Sequence, residues 1–167
     1  VMQDNTTIFV KNLLLHEVAE IEIIKVLKSY CVGRVVELKT PSSERIEPKC
    51  ECFKQCGGCS LMHMSDREQQ SFKTNRVKET FLKIAHQDLE VNDCLMDMDP
   101  YHYRNKVQVP FGKQDGHIVS GFYKARTNDI INNDYCLIQN EFSNKVIKRV
   151  KELFEKYHIQ PYDKLTK

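Results

Sequence analysis

Cys50, Cys52, Cys56 and Cys59 fall within the ten-residue run Cys50-Glu51-Cys52-Phe53-Lys54-Gln55-Cys56-Gly57-Gly58-Cys59. Thiolates are soft ligands, and three of them at such short spacing are the chemistry of a metal centre. They converge on one centre only if the backbone turns sharply between them. Gly57-Gly58 is expected to supply that turn through positive φ, which glycine adopts without a Cβ penalty. Backbone N–H groups exposed in the turn would donate to thiolate or sulfide sulfur. The chain holds seven cysteines in all. An odd count with no secretion signal points to metal or catalysis rather than to disulfides.

Structural zinc sites use paired C-x2-C knuckles. Here only Cys56 and Cys59 form one, and no second C-x2-C or H-x3-H follows. Iron–sulfur clusters take a compact run of cysteines with a remote fourth. Cys136 is the natural remote candidate, and Cys94, in an acidic stretch, is its rival. Cys52, Cys56 and Cys59 also match the C-x3-C-x2-C of radical enzymes that bind adenosylmethionine. Those enzymes usually carry an aromatic before the last cysteine, where this chain has Gly58, and they need a large α/β barrel that 167 residues with this strand pattern do not supply. The ligand run is read as Cys50, Cys56 and Cys59.

Three β-rich segments precede the cysteines: Thr7–Val10, Val18–Leu27 with alternating Ile21, Ile23 and Lys25, and Cys31–Lys39, the last two joined as a hairpin. Three strands are too few to close a small barrel of about five. Residues 41–64 read as loop. Ser65 with Glu68 forms a capping box that opens a helix, whose stripe Phe72, Val77, Phe81, Ile84 and Ala85 reads as a core face. Strands are expected at Tyr103–Phe111 and His117–Tyr123 around an Asp115-Gly116 turn, with Asp129–Asn132 adding another. Val146, Val150, Leu153, Phe154 and Tyr157 mark a closing amphipathic helix. The fold class is α+β.

Net charge is +2, hydrophobic residues make up 41% and mean hydropathy is -0.51. No apolar run approaches the roughly 18 residues of a membrane helix, and no signal peptide opens the chain. The near-neutral total hides blocks: residues 88–99 hold five carboxylates and no Lys or Arg, and residues 100–126 hold five cations against one Asp. Such segregation can build a basic face. In that block Arg104, Lys106, Lys124 and Arg126 are interleaved with Tyr103, Phe122 and Tyr123. Cations hold phosphates and aromatic rings stack on unpaired bases, which is the pattern of an RNA-gripping surface. Lys54 would place a charge near RNA bound at the cysteine loop. His63 is read as a contact to RNA or to the metal ligands rather than as a ligand itself.

These residues carry a resemblance. Pro48-Lys49-Cys50, five residues, then Cys56-Gly57-Gly58-Cys59 and His63 resembles the iron–sulfur motif of the RNA uracil-5-methyltransferases. Gln70 and Lys73, Tyr103-Arg104-Asn105-Lys106, Gly121-Phe122-Tyr123 and Cys136-Leu137-Ile138 follow in the family's order. The stretch 8–47, with Phe9-Val10 and Pro41-Ser42-Ser43-Glu44-Arg45, is similar to the later half of that family's N-terminal TRAM barrel. The likeness is closest to bacterial 23S ribosomal RNA members, since the transfer RNA enzymes typically lack the cluster.

The resemblance implies a 4Fe-4S cluster on Cys50, Cys56, Cys59 and Cys136. It implies a truncated, oligonucleotide-binding-type TRAM barrel at 1–47, a cysteine-rich cluster loop at 48–64 and a central α+β RNA-binding domain at 65–167. The partner it implies is ribosomal RNA at a single-stranded or loop uridine, the state a monomer, the compartment the cytoplasm. In the family reaction a cysteine attacks C6 of a flipped-out uracil and C5 takes the methyl of S-adenosyl-L-methionine, because neither carbon is accessible in a stacked strand. No glycine-rich turn for a nucleotide cofactor is present, and Cys31, Cys52 and Cys94 lack a nucleophile's surroundings. The chain, which opens on Val1 rather than Met, is therefore expected to be an internal piece of a longer enzyme. S-adenosyl-L-methionine would bind only in the whole protein, and the piece alone would be inactive. The alternative is a zinc-stabilised nucleic-acid-binding module.

Overall fold

The computed structural model describes residues 2–3 and 6–162. The chain divides into two units: Val1–Glu47 with His63–Cys94, and Pro48–Met62 with Leu95–Lys167. Among the described residues no helix is long and apolar enough to cross a membrane.

The first unit holds β1 (Met2–Gln3), β2 (Thr6–Val10), β3 (Val18–Val26) and β4 (Tyr30–Thr40) in one sheet of order β1-β2-β4-β3. β3 and β4 form the expected antiparallel hairpin, closed by Leu27 N–H donating to the Tyr30 carbonyl at 2.9 Å. β2 joins β4 in parallel, from Thr7 opposite Tyr30 to Val10 opposite Gly33. Three register irregularities interrupt the β3–β4 ladder, and bulges of this kind bend a strand and raise its twist. The described strands form an open four-stranded sheet, not a closed barrel.

One buried acid organises the loops below this sheet. The Glu17 carboxylate accepts from Leu14 N–H at 2.8 Å, Ser42 N–H at 3.1 Å, Arg45 Nε at 2.5 Å and Arg45 Nη2 at 2.7 Å. Arg45 Nη2 also donates to the Asn12 carbonyl at 2.6 Å. The Glu17 side chain is fully buried, so its charge is tolerable only because every direction offers a donor.

Ser65 caps α1 (Asp66–Thr80) as expected, its Oγ accepting from Glu68 N–H at 3.1 Å. The reciprocal half of the capping box is replaced, since Ser65 N–H donates to the Glu44 carbonyl at 2.8 Å. A π-helical turn, Phe81–Ala85, follows and ends at His86 in the left-handed region, φ 53. The expected core face of this helix is not a core face. No residue of α1 or of the turn is buried, because the helix is fastened through its polar side chains.

In the second unit β5 (Phe111–Gln114), β6 (His117–Tyr123) and β7 (Ile130–Asn132) form an antiparallel sheet. Asp115 (φ 50) and Gly116 (φ 85) make a two-residue turn of the kind whose twist matches paired strands. α2 (Glu141–Lys156), capped by Asn140 Oδ1 on Phe142 N–H at 2.9 Å, lies on β6. Ile118, Val119 and Ile138 are buried in this unit, and Phe111 stacks on Phe154 at 5.1 Å. The strand expected from Tyr103 starts only at Phe111. Residues 102–104 instead run beside 137–140: His102 N–H donates to the Leu137 carbonyl, Arg104 N–H to that of Ile138, each at 2.9 Å.

Arg45 beside Glu17 holds its carboxyl well below the ordinary 4.5, at about 2, with the Leu14 and Ser42 amides adding to the effect against the opposing cost of burial. A depressed carboxylate pKa contributes stability that is present above the unfolded value and lost as pH falls through the folded one. Denaturant unfolding between pH 6 and pH 2 should therefore show ~3 kcal/mol lost on acidification that Glu17→Gln no longer loses. An unchanged pH slope in that variant would remove Glu17 from this role.

Candidate metal centre

The cysteine loop is wound by its own backbone. Phe53 N–H donates to the Cys50 carbonyl at 3.0 Å, and Gln55 and Cys56 N–H both donate to that of Cys52, at 3.0 and 2.7 Å. The loop then meets the end of β6, where Cys56 bridges to Lys124 and Gly57 N–H donates to the Tyr123 carbonyl at 3.1 Å. A Cβ on Gly57 would sit 3.0 Å from the Tyr123 oxygen and 3.3 Å from Ala125 Cα. Positive φ, expected of Gly57-Gly58, occurs at neither: the one positive-φ glycine is Gly116. Gly57 is required for close approach to a strand backbone, and Gly58 presents its N–H to Cys56 Sγ at 3.3 Å.

Cys50, Cys56, Cys59 and Cys136 line one cavity, closed by Phe53, Met62, Phe122, Leu137 and Ile138. Burial pushes the Cys59 thiol up to about 11, and the charges of Cys136, Cys56 and Cys50 add to it while Arg104 opposes. Cys56 is raised too, by burial first; the Gly58 N–H works the other way, Cys50 and Cys136 raise it further and Arg104 lowers it. Four sulfurs thus feel one another in an apolar pocket. All seven cysteines are free thiols. Among the described residues no three His, Cys, Asp or Glu side chains are arranged about a single metal ion.

Of the rival cysteines, Cys94 and Cys31 lie in the first unit, while Cys52 is near enough that, after burial, the charges of Cys50, Cys56 and Cys136 push its thiol up. Cys52 Sγ points to the Asn132 carbonyl, 3.8 Å away, and does not line the cavity. Cys94 belongs to the first unit, where its N–H donates to Thr74 Oγ1 at 2.8 Å and its carbonyl accepts from Gln70 Nε2 at 2.7 Å. Cys31 lies on β4 opposite Ile8.

The residues that hold Cys136 were not legible as site residues. Asn144, buried inside the first turns of α2, accepts from Cys136 N–H at 3.1 Å and donates to the Cys136 carbonyl at 3.0 Å. Its signal is slight: an amide on the inward face of an otherwise amphipathic helix. The His102 ring nitrogen Nδ1 lies 2.9 Å from the Gln139 carbonyl, with His102 itself at φ 54.

The cations and rings read as RNA-binding separate into two sets. Lys54, Tyr103, Lys106, Lys124 and Arg126 are exposed, Tyr103 at 62%. Lys124 and Arg126 stand on a tight turn in which Thr127 N–H donates to the Lys124 carbonyl at 3.0 Å. Phe122 is a wall of the cavity instead of an open stacking platform. Arg104 is half-buried, and its charge acts on the Cys56 and Cys59 thiols. His63 is 4% exposed, in the first unit, and presents no face to RNA; burial and Arg45 push its pKa down.

No protein-family model matches the chain. An uncharacterised RNA methyltransferase of Clostridium tetani is 46% identical over 160 residues, covering 96% of this chain and 35% of that protein. One of Listeria innocua is 40% identical over 98% of this chain and 36% of its own length. The solved Pyrococcus abyssi tRNA (uracil-54, C5)-methyltransferase, in complex with S-adenosyl-L-homocysteine, shares the fold with a TM-score of 0.59 at 22% identity, over 93% of this chain and 34% of that one. The chain is thus related over nearly its whole length to RNA methyltransferases, and spans about a third of the relatives it matches.

Asn144→Ala leaves the Cys136 N–H without its acceptor in a buried place, which costs about 2 kcal/mol. Denaturant unfolding should register that loss, and Cys136 should react faster with a thiol reagent than in the unaltered protein. Equal stability and equal labelling would show that Asn144 does not hold Cys136.

Proposed function

We propose that this chain is the RNA-gripping, iron–sulfur-bearing part of an S-adenosylmethionine-dependent 23S ribosomal RNA uracil-5-methyltransferase of the cytoplasm. The methyl-transfer machinery would lie in the remainder of the polypeptide. The observation that carries the reading is the gathering of Cys50, Cys56 and Cys59 with the distant Cys136 around one cavity, in a chain whose relatives are RNA methyltransferases.

The donor set suits a 4Fe-4S cluster: four thiols, an apolar wall, an N–H donor at Cys56 Sγ and a nearby guanidinium. Burial raises the pKa of the Cys56 and Cys59 thiols, and a metal that binds cysteine displaces the thiol proton. When bound, the cluster supplies four iron–thiolate links, which tie the 50–59 loop to Cys136. This chain's residues do the rest: Gly57 seats the loop, Asn144 holds Cys136, and Arg104 balances the thiolate charge. The open sheet of the first unit is proposed as the TRAM-like part. Lys54, Tyr103, Lys106, Lys124 and Arg126 are proposed as the surface that meets RNA, as a monomer, with cations on phosphates and the Tyr103 ring on an unpaired base.

Protein purified without oxygen should be brown and carry about four irons and four sulfides. Serine at Cys50, Cys56, Cys59 or Cys136 should abolish the colour, whereas Cys52→Ser and Cys94→Ser should keep it. Stoichiometric zinc without sulfide would instead establish the zinc-stabilised module. Reversing Lys106, Lys124 and Arg126 to Glu should weaken binding to a ribosomal RNA hairpin and flatten its salt dependence, since each phosphate contact adds to that slope. Unchanged binding would remove this surface, and preference for transfer RNA would reassign the substrate.

A further inference from the structure

His102 holds a backbone conformation that a side chain resists. Its φ of 54 lies in the left-handed region, which glycine occupies freely and a residue with a Cβ does not. Three backbone bonds keep it there. His102 N–H donates to the Leu137 carbonyl and Arg104 N–H to that of Ile138, each at 2.9 Å, and Asn140 N–H donates to the Arg104 carbonyl at 3.1 Å. Residues held in this region cluster at binding and active sites. The imidazole is itself aimed. A carbonyl only accepts, so Nδ1, 2.9 Å from the Gln139 oxygen, carries the hydrogen. In the neutral ring that leaves Nε2 as the acceptor, and it has no partner among the described residues.

The neighbouring ring is Tyr135, 48% exposed on a fixed backbone. Asn133 Oδ1 accepts from Tyr135 N–H at 3.1 Å, and Asn144 holds both backbone groups of the next residue, Cys136. The His102 and Tyr135 ring centroids are 6.0 Å apart, with the planes at 69°: two walls of a corner. A flat base laid on the Tyr135 ring turns an edge towards the imidazole. The charges nearby suit a polyanion. Lys49 Nζ stands over the ring of Tyr101, the residue before His102, at 4.8 Å. The carboxylate next to Tyr135 in sequence, Asp134, is paired with Lys151 at 2.7 Å.

We propose that Tyr135 and His102 form a reading site for one unpaired RNA base, the tyrosine ring stacking on it and His102 Nε2 accepting one of its N–H groups. A stacking ring holds any base. The acceptor adds a demand for an N–H at the base edge, which uracil meets with N3–H and 3-methyluracil cannot meet. The inference rests on reading the chain as an RNA-gripping piece. It adds to the exposed cations and Tyr103 a site made of two residues outside that set.

The test titrates the full-length polypeptide, purified without oxygen, against a fluorescent single-stranded oligouridylate and against the same oligomer built from 3-methyluridine. Anisotropy is read at several salt concentrations. Tyr135→Ala should weaken binding of both oligomers about ten-fold, the effect of one lost stack, and Tyr135→Phe should keep it. The unaltered protein should prefer the uridine oligomer, and His102→Gly, which relieves the backbone, should cut that preference about five-fold, the effect of one lost hydrogen bond. Neither change should alter the salt slope, since no phosphate contact is lost. Where His102→Gly lowers the thermal midpoint, the Tyr135 pair, changed at an exposed side chain, decides. Equal binding by Tyr135→Ala, or an undiminished uridine preference in a stable His102→Gly, overturns the reading site and leaves the RNA-gripping reading standing. An unaltered protein that binds neither oligomer overturns both.

Discussion

The contact between Gly57 and the Tyr123 carbonyl sets the geometry of the cysteine cavity. At 3.1 Å from N to O, with only 3.0 Å between a Cβ at position 57 and the Tyr123 oxygen, it lays the cysteine loop directly on the end of β6. From there Cys56 pairs with Lys124, Gly58 turns its N–H onto the Cys56 sulfur, and the loop's thiols face the wall formed by Phe122. A Cβ at position 57 would press on the Tyr123 oxygen and Ala125 Cα, so that loop or strand must give way slightly. The sheet is itself tight at this end, since a Cβ on Gly121 would fall 1.9 Å from the Ile131 oxygen. The centre is therefore built by removing side chains where two backbones meet, and the cysteines occupy the space so defined.

The segment that carries Cys136 is held by a buried polar group. Asn144 grips both backbone groups of Cys136, while the 102–104 segment runs beside 137–140. In the first unit the Glu17 carboxylate does the same for the loops at 12–17 and 42–45. In both places irregular chain, which has no ladder of its own, is held by a side chain that answers its N–H and C=O groups. Removing such a group leaves the partners buried and unanswered, so these positions matter more than their small share of contact area suggests.

Local chemistry was legible in the sequence wherever the cause is local. The Ser65 cap, the Asp115-Gly116 turn and the β3–β4 hairpin all follow from residues within a few positions of one another, and the structure has each of them. Errors arose where the cause is distant. Gly57-Gly58 reads as a positive-φ turn, but its reason is a strand more than sixty residues away in sequence. Tyr103–Phe111 has strand composition, yet its first residues are claimed by 137–140. The stripe on α1 has core periodicity, but among the described residues none of it is buried. His63 and Phe122 carry the right residue types for RNA contact, but His63 is buried and Phe122 lines the cysteine cavity. Sequence spacing identified Cys50, Cys56 and Cys59 as a run; what lay beyond it was the pair of residues, Asn144 and Arg104, that make the fourth position and the local charge workable.

The thin core of the second unit gives the cysteine cavity a structural reason. Among the described residues its buried apolar side chains are Ile118, Val119 and Ile138, a small core to which a metal link would add. Ile138 belongs both to that core and to the cavity wall. Cys136, two residues earlier, sits where a metal link would continue the core outward into the 50–59 loop. Without that link the loop is held to the sheet by a few hydrogen bonds near Gly57, against the Cys56 and Cys59 thiols, which burial makes harder to ionise. A group that binds all four thiolates removes that conflict and closes a loop long in sequence, which is where a cross-link constrains the unfolded chain most.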